Sequence, residues 1–533
     1  VEIDKNQWLD HLKEGIPVEA VKNKISMYTI SLEGWRRGLS LCFSSVKGSS
    51  GELSDIRYSL SDGRNTHVFE GSKGDLVTDE ARAICDDKKR TYEYLEHAGV
   101  PYPKGKTFDA GQTDGDILSF ASQIGYPVVL KPLNGSGGKG VVVNIKTEKA
   151  LEEALAYVRG TLGFDDVILE QFVTGEEIRL YVLEDRVLAA VNRVPANVTG
   201  DGVHSVEKLI EMKNEARKQV PHLYHRPIKY DKHLYSTLRS KKVAFTDVPP
   251  KGEKVYVKRV SNVSAGGDPV DLTDEFPEEL KDIAVKASQA IPGLVHSGVD
   301  MIVDHDMTSG VVIEVNTRPG IGSHLFPVQG RARDIPKALI DFYFPGTLQD
   351  KSPFTFDFSL VEDCLKNGVT NEIELAPCPA GPLDQEQVLI SDAGLKVDHH
   401  LLEKIRNLAV GAGLHGYVKR VSETELEVSA LHEERKILDD FIQQAVKLAG
   451  DSSTAEVRDN PEEQVKKTGF HIIYSESRTL TAMKHDYELL QKKLDREKRQ
   501  LERAEKRISE MLGSQAWKWT AFVRTLGDRA KSR

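Results

Sequence analysis

The stretch VVLKPLNGSGGKGVVV, Val128–Val143, decides how the rest of the chain is read. An apolar, β-branched run ends at Lys131, and a glycine-rich loop follows (Gly135, Ser136, Gly137, Gly138, Lys139, Gly140) before a second apolar run resumes at Val141. Glycines let a backbone approach phosphate groups and aim its amides at them, while a lysine neutralises their charge. The spacing is not that of a P-loop, which needs GxxxxGK[ST] ahead of a helix. Alone, the loop is weak support for a bound nucleotide, so the reading turns on what accompanies it.

The stretch VIEVNTRPG, Val312–Gly320, accompanies it, with Gly298-Val299-Asp300 upstream on an expected strand. Glu314 and Asn316 stand two apart on a strand and therefore share a face, and an adjacent strand could bring Asp300 beside them. Three hard oxygen ligands suit magnesium, which takes few protein ligands and completes its octahedron with phosphate oxygens and water. A group of capping and turn residues near a strand end is the competing reading.

Around these stretches the chain divides by pattern. Residues 1–80 mix short helical and strand-like runs, MYTISL and IRYSLSDG among them, and are expected to form a small α/β module. Residues 81–346 alternate β-rich apolar runs with helical stretches, and the Pro-rich 347–386 is expected to be a linker. Residues 387–476 carry strand VLISDA, a helix through LLEKIRNLAVGAG, strands GYVKRV and TELEVSAL, helix EERKILDDFIQQAVKLAG and strand FHIIYS. That βαββαβ order is the ferredoxin-like one. Residues 477–512 place Leu480, Met483, Tyr487, Leu490, Leu494, Leu501, Ala504, Ile508 and Met511 on a coiled-coil seam, interrupted at Glu497. Self-association is the expectation, against a solvated single helix. Residues 513–533 are basic and aromatic, with Trp517, Trp519, Phe522 and Leu526 spaced for an interfacial helix or for packing on a partner.

Composition narrows the class. A chain of 533 residues calls for two to four domains, and a net charge of −10 argues mildly against a nucleic-acid binder. The four cysteines (Cys42, Cys85, Cys364, Cys378) form no CxxC pair, which points to reduced thiols in the cytoplasm rather than to a zinc site. No run of about eighteen apolar residues is present, and the N-terminus lacks the apolar core of a signal peptide.

The stretch from Asp87 to Pro345 resembles the ATP-grasp ligases, the superfamily of D-alanine–D-alanine ligase and glutathione synthetase. Within it the likeness is to the ATP-grasp domain of cyanophycin synthetase and of the bifunctional glutathione synthetases. It is carried by RVPANVTGDGVHSVEKLI (Arg193–Ile210), VSNVSAGGDPVDLTD and EVNTRPGIGSHLFPVQGRARDIPKALIDFYFP. The resemblance implies an α+β ATP-grasp fold, two subdomains gripping ATP, followed by the ferredoxin-like domain and the coiled-coil helix.

By position, the resemblance gives Lys88 and Lys131 the ATP phosphates and makes Gly135–Gly140 a lid over them. It makes Glu170, Gln171, Phe172 and Val173 the hinge that reads adenine through backbone groups, and it puts Glu177 on the ribose hydroxyls. Asp300, Glu314 and Asn316 match the metal ligands, with ATP and two magnesium ions implied and manganese able to substitute. Arg193 and Arg318 are the candidates for stabilising an acyl-phosphate and its tetrahedral successor, with surface ion pairs as their alternative. His204, His296 and His324 lie in the same blocks and are read as packing or hydrogen-bonding residues ahead of general bases. Dipeptide ligases of the D-alanine type carry Arg where this chain has Gly298, which argues against that activity.

The expected reaction is carboxylate–amine ligation through an acyl-phosphate, on an amino acid, a peptide or an envelope polymer. A carboxylate–thiol ligase and a non-catalytic, ATP-sensing scaffold of a polysaccharide-biosynthesis assembly are the alternatives. GYVKRVSETELEV faintly resembles an acylphosphatase segment with Arg420 in place of the catalytic Asn, so that domain is expected to be non-catalytic. The tail SQAWKWTAFVRTLGDRAKSR is similar to the ends of some surface-polysaccharide proteins, which implies a uronate or peptide of an envelope polymer as substrate, while its interfacial spacing carries the expectation of peripheral contact with the inner face of a membrane.

Overall fold

The computed structural model describes residues 5–13, 15–17, 24–48, 53–134, 140–347, 352–379, 383–450, 452–458 and 467–473. The loop residues Gly135 to Lys139, the seam of 477–512 and the tail of 513–533 lie outside them. Contacts gather the chain into two units, Val1–Ala380 and Gly381–Arg533. Among the described residues no helix is long and apolar enough to cross a membrane.

The first unit opens with helix α1 (Ile25–Arg36), which contains MYTISL and is buried over almost its whole length. Its buried polar side chains are matched inside the core, Thr29 donating to the Ile25 carbonyl at 2.8 Å and Glu33 pairing with Arg37 at 2.6 Å. The helix packs on an antiparallel sheet of β1 (Ser40–Lys47), β2 (Leu53–Ser61), β3 (Thr66–Glu70) and β4 (Lys73–Gly74). Gly34 permits the approach, since a Cβ there would lie 2.6 Å from Leu60.

Two capped helices follow, α2 (Asp79–Asp86) under Thr78 and α3 (Lys88–His97) under Asp87, whose carboxylate accepts from the amides of Lys89 and Arg90. Next come β5 (Gly105–Phe108), α4 (Asp114–Ile124), β6 (Val128–Pro132), β7 (Val142–Ile145), α5 (Glu148–Leu155) and β8 (Val167–Gln171). The strands form an antiparallel sheet in the order β5-β8-β6-β7. Val128 and Leu130 pack with Ile117, Ala121 and Leu151 of the helices, so by the period of two Lys131 stands on the other face.

A third sheet is built from β9 (Glu176–Leu183) and β10 (Arg186–Val194), then three later strands. Between them lie β11 (Asn197–Thr199), α6 (Val206–Arg217), α7 (Lys232–Ser240) and β12 (Lys254–Tyr256) as a small side layer. The sheet is completed by β13 (Asp268–Asp271), β14 (His296–Val303) and β15 (Gly310–Asn316), in the order β13-β10-β9-β14-β15. Helix α8 (Glu278–Gln289) covers one face, with Leu280, Ala284 and Ala287 against Ile178, Leu180, Val182, Val299 and Met301. Each such aliphatic side chain contributes about 1.5–3 kcal/mol on burial. The alternate positions, turned away from α8, carry Glu177, Arg179, Asp300 and Glu314. Short α9 (Gly322–Leu325) and α10 (Ile335–Tyr343) close the region.

The stretch expected as a linker contains α11 (Phe358–Lys366) and β16 (Glu372–Glu374), and β16 adds to the first sheet beside β1. The reason lies in Phe354, Phe356 and Phe358, all buried, with Phe356 and Phe358 packed in the aromatic core of Tyr28, Trp35 and Phe43. Arg36 fastens the same segment by donating from Nε to the Phe354 carbonyl at 2.7 Å. Residues 352–375 therefore belong with the N-terminal module, and the prolines that suggested a linker mark only its edges.

The second unit runs β17 (Asp384–Ser391), α12 (His399–Gly411), β18 (His415–Arg420), β19 (Glu425–His432), α13 (Arg435–Ala449), β20 (Thr454–Val457) and β21 (Phe470–Ile473). The sheet order is β20-β17-β19-β18-β21, with both helices on one face. The strand that closes the βαββαβ set is Thr454–Val457, and FHII is a fifth strand, parallel to β18. All four residues of β20 are exposed, so its sequence lacks the apolar alternation that would betray it. Arg420 donates to Ser422 O at 3.1 Å and to Glu423 at 3.2 Å, which commits it to the β18–β19 turn.

Candidate active site

The charged face of the third sheet, β13-β10-β9-β14-β15, looks into a cleft of about 910 Å³. Strand register explains what meets there. Asp300 on β14 is paired across the ladder with Arg179 on β9 and with Glu314 on β15. Glu177 and Arg179 are two apart on β9, as Glu314 and Asn316 are on β15, so all of them turn the same way. Arg193 reaches in from β10. Asp300, Glu314 and Asn316 thus lie on adjacent strands of one face, as expected. The Asn316 side-chain amide donates to Glu314 Oε2 at 3.3 Å.

Arg179 holds the buried Asp300 through two bonds of 2.6 Å, from Nε to Oδ1 and from NH2 to Oδ2. Arg193 donates to Glu177 at 2.6 Å and lies 3.4 Å from Asp300 Oδ2. Burial opposes ionisation of Asp300, but the Arg179 and Arg193 guanidiniums hold its carboxyl below the usual range. Glu177 shifts the other way, because burial and the Asp300 charge outweigh Arg193. The face therefore keeps one firmly ionised carboxylate beside one that gives up its charge more readily.

The opposite wall is the end of β6 and the start of α3. Lys131 donates to Glu170 at 2.5 Å, and the Tyr92 hydroxyl donates to the other oxygen of that carboxylate at 2.8 Å. Lys88 lines the cleft at the N-terminus of α3, whereas the neighbouring Lys89 is exposed. At Gly140 the loop rejoins the fold with φ +77°, and a Cβ there would lie 2.7 Å from Pro132, so only glycine suits this return.

Among the expected site residues, Lys88, Lys131, Glu177, Arg193, Asp300, Glu314, Asn316 and Arg318 line one cleft. The segment Glu170–Val173 does not. Glu170 is buried beneath Lys131, and the amides of Gln171 and Phe172 are committed to the carbonyls of Lys104 and Pro127. Arg318 is placed at the mouth by ion pairs to Asp55 (3.1 Å) and Glu70 (3.6 Å) of the N-terminal sheet. Gly298 has a steric reason: a Cβ there would lie 2.5 Å from Pro319. An arginine at that position has no room.

Three of the sequence histidines fall away from proton transfer. His204 closes a turn with Asp201 at 2.6 Å. His296 is buried between the hydroxyls of Tyr181 and Tyr343, and burial lowers its pKa to about 3. His324 is buried too, neither ring nitrogen has a partner among the described residues, and burial with Arg179 nearby takes it to about 3.

Sequence reading passed over Arg179, His222, Arg226 and Ser323, which also line the cleft. Arg179 was legible, being two residues from Glu177 on a strand. His222, which bonds Ser323 at 2.9 Å, lies in a loop without periodicity and gave no signal.

Residues 85–322 match the family model described as ATP-grasp domain. Over 279 residues the chain is 34% identical to a cyanophycin synthetase of Crocosphaera subtropica, covering 51% of this chain and 31% of that one. Over 288 residues it is 36% identical to the glutathione biosynthesis bifunctional protein GshAB of Listeria welshimeri, covering 52% and 36%. A solved bifunctional glutathione synthetase from Pasteurella multocida is similar with 28% identity and a TM-score of 0.44, over 54% of this chain and 40% of that one. The chain thus spans about a third of the length of the curated relatives it matches.

Proposed function

We propose that the ATP-grasp domain of this chain makes it a carboxylate–amine ligase that couples ATP cleavage to amide-bond formation. The observation that carries this reading is the single cleft with Lys88 and Lys131 on one wall and Asp300, Glu314 and Asn316 on the other. A carboxylate is a poor acyl donor because oxide is a poor leaving group. Attack of its oxygen on the γ-phosphorus of ATP releases ADP and leaves an acyl-phosphate. Attack of an amine on that carbonyl forms the amide, phosphate departs, and the amine proton passes to solvent.

The residues position groups and balance charge. Lys131, oriented by Glu170 and Tyr92, and Lys88 at a helix N-terminus face the phosphates. Arg193 and Arg318 face the charge that develops on the acyl oxygens, and Glu177 faces the ribose. The donor set Asp300, Glu314 and Asn316 fits magnesium, since all three offer hard oxygens on one face once the Asn316 amide presents Oδ1. Magnesium, when bound, would neutralise phosphate oxygens, with two ions or manganese in their place belonging to this same reading.

The test is ADP release with Mg-ATP over pools of carboxylates crossed with amines. Release that needs one of each and disappears in Glu314→Ala supports the ligase. Release that needs a thiol instead supports thioester formation, and tight ATP binding without release under any pool supports a non-catalytic ATP sensor.

A further inference from the structure

The chain is acidic overall, at a net charge of −10, yet residues 213–259 hold thirteen Lys and Arg against four Asp and Glu. Part of this excess faces inward: Lys213 and Arg217 are buried on Asp268, and Lys258 on Asp231. Arg226 is half-buried in the cleft lining, and the remainder is exposed, Lys241, Lys251, Lys254 and Arg259 included.

These cations converge from different elements. Lys241, just past the end of α7, and Lys254, which begins β12, lie 5.0 and 5.9 Å from the centre of the Tyr256 ring. Arg259 donates to Ser240 Oγ at 2.6 Å, which brings it to the same helix end. Cations at a helix C-terminus complement its dipole, and that accounts for Lys241. It also covers Arg259, held at that end by Ser240, but it does not account for Lys254, which begins β12. Continuity with the active cleft is direct, because Val260 and Ser261, the next residues after Arg259, line it.

We infer that this surface docks a polyanionic chain, and that the acid substrate is one carboxylate among many on that chain. Its neighbouring charges lie over Lys241, Lys254 and Arg259 while one carboxylate passes Val260 and Ser261 into the cleft. Like charges repeated along a polymer meet repeated cations, which raises the encounter rate and makes affinity fall with salt. This inference rests on the ligase reading of the cleft.

The experiment uses the full chain, fluorescent poly-L-glutamate as the probe, and two variants. One is Lys241→Glu/Lys254→Glu/Arg259→Glu, and the other replaces the same three residues by Gln. The unaltered chain should bind the probe at low salt and release it at high salt. The charge-reversed variant should lose about tenfold or more in affinity, with the Gln variant between, while all three bind Mg-ATP alike. Equal probe affinity in all three overturns the inference, as does single-stranded RNA displacing the probe at lower concentrations than unlabelled poly-L-glutamate. If probe binding follows the three cations but ADP release never needs an amine, the ligase reading falls and the surface stands. If amine-dependent ADP release is as strong with monomeric carboxylates as with poly-L-glutamate in every variant, the surface falls and the ligase stands.

Discussion

Two antiparallel sheets in this molecule share a design and differ in use. The third sheet of the first unit and the sheet of the second unit each press one apolar face against helices and turn the other face outward. On the outward face of the first, Glu177, Arg179, Arg193, Asp300, Glu314 and Asn316 stand side by side beneath a cleft. On that of the second, polar groups are matched locally: Tyr417 bonds Glu427 at 3.0 Å, Arg458 bonds the same carboxylate at 3.0 Å, and Gln385 bonds Ser429 at 3.4 Å. Period-two patterning builds both sheets. Chemistry appears where the polar face keeps several ionised groups together beside a cavity.

The strongest way to break that contrast is to remove Arg179. Arg179→Ala leaves Asp300 buried with only the more distant Arg193, and loss of one partner from a buried pair costs about 3–5 kcal/mol. Thermal unfolding of the first unit should shift accordingly, and Arg179→Met with Asp300→Leu should recover most of it. A small shift in the single variant would mean the pair is solvated and the face is not the low-dielectric site described. Next in size is Glu314→Ala, which should lower amine-dependent ADP release by about 10²–10³-fold with unfolding little changed.

Acidification should separate the sheets further. His296 and His324 fall from 6.5 to about 3 in the folded chain, so the folded state resists protonation that the unfolded state accepts. Their contribution is full above the unfolded pKa and is lost as pH drops from 6.5 toward 3. At pH 5 each costs the fold about 2 kcal/mol relative to pH 7. His324→Met should flatten the pH dependence of the unfolding temperature, and an unchanged slope would place the proton uptake elsewhere.

The site was more legible than the boundaries. Asp300, Glu314 and Asn316 follow from strand periodicity, and so would Arg179, since GEEIRL puts it two residues past Glu177. Lys88 came from the resemblance and not from residue pattern, which does not separate it from Lys89; the difference between them depends on Asp87 capping α3 and fixing where the helix begins. The linker was misread for a related reason. Prolines are conspicuous in sequence, whereas the burial of Phe354, Phe356 and Phe358 depends on an N-terminal core about 320 residues away. β20 was invisible because an exposed edge strand that buries no side chain carries no apolar pattern.

The smallest effect is expected in the second unit, and it is the one that sharpens the comparison most. Arg458 pairs with the nearly buried Glu427 but is itself about half exposed, at 46%. Water can replace it, so Arg458→Ala should cost less than about 1 kcal/mol. Tyr417→Phe removes the other partner and should cost about 1 kcal/mol, because the hydroxyl bonds a carboxylate with little access to solvent. Neither should alter ADP release. If either variant abolished it while leaving the unit folded, the polar face of the second unit's sheet would have a part in the chemistry. The difference between a working face and a closed one would then lie in the partners each face meets and not in the pairing of its charges.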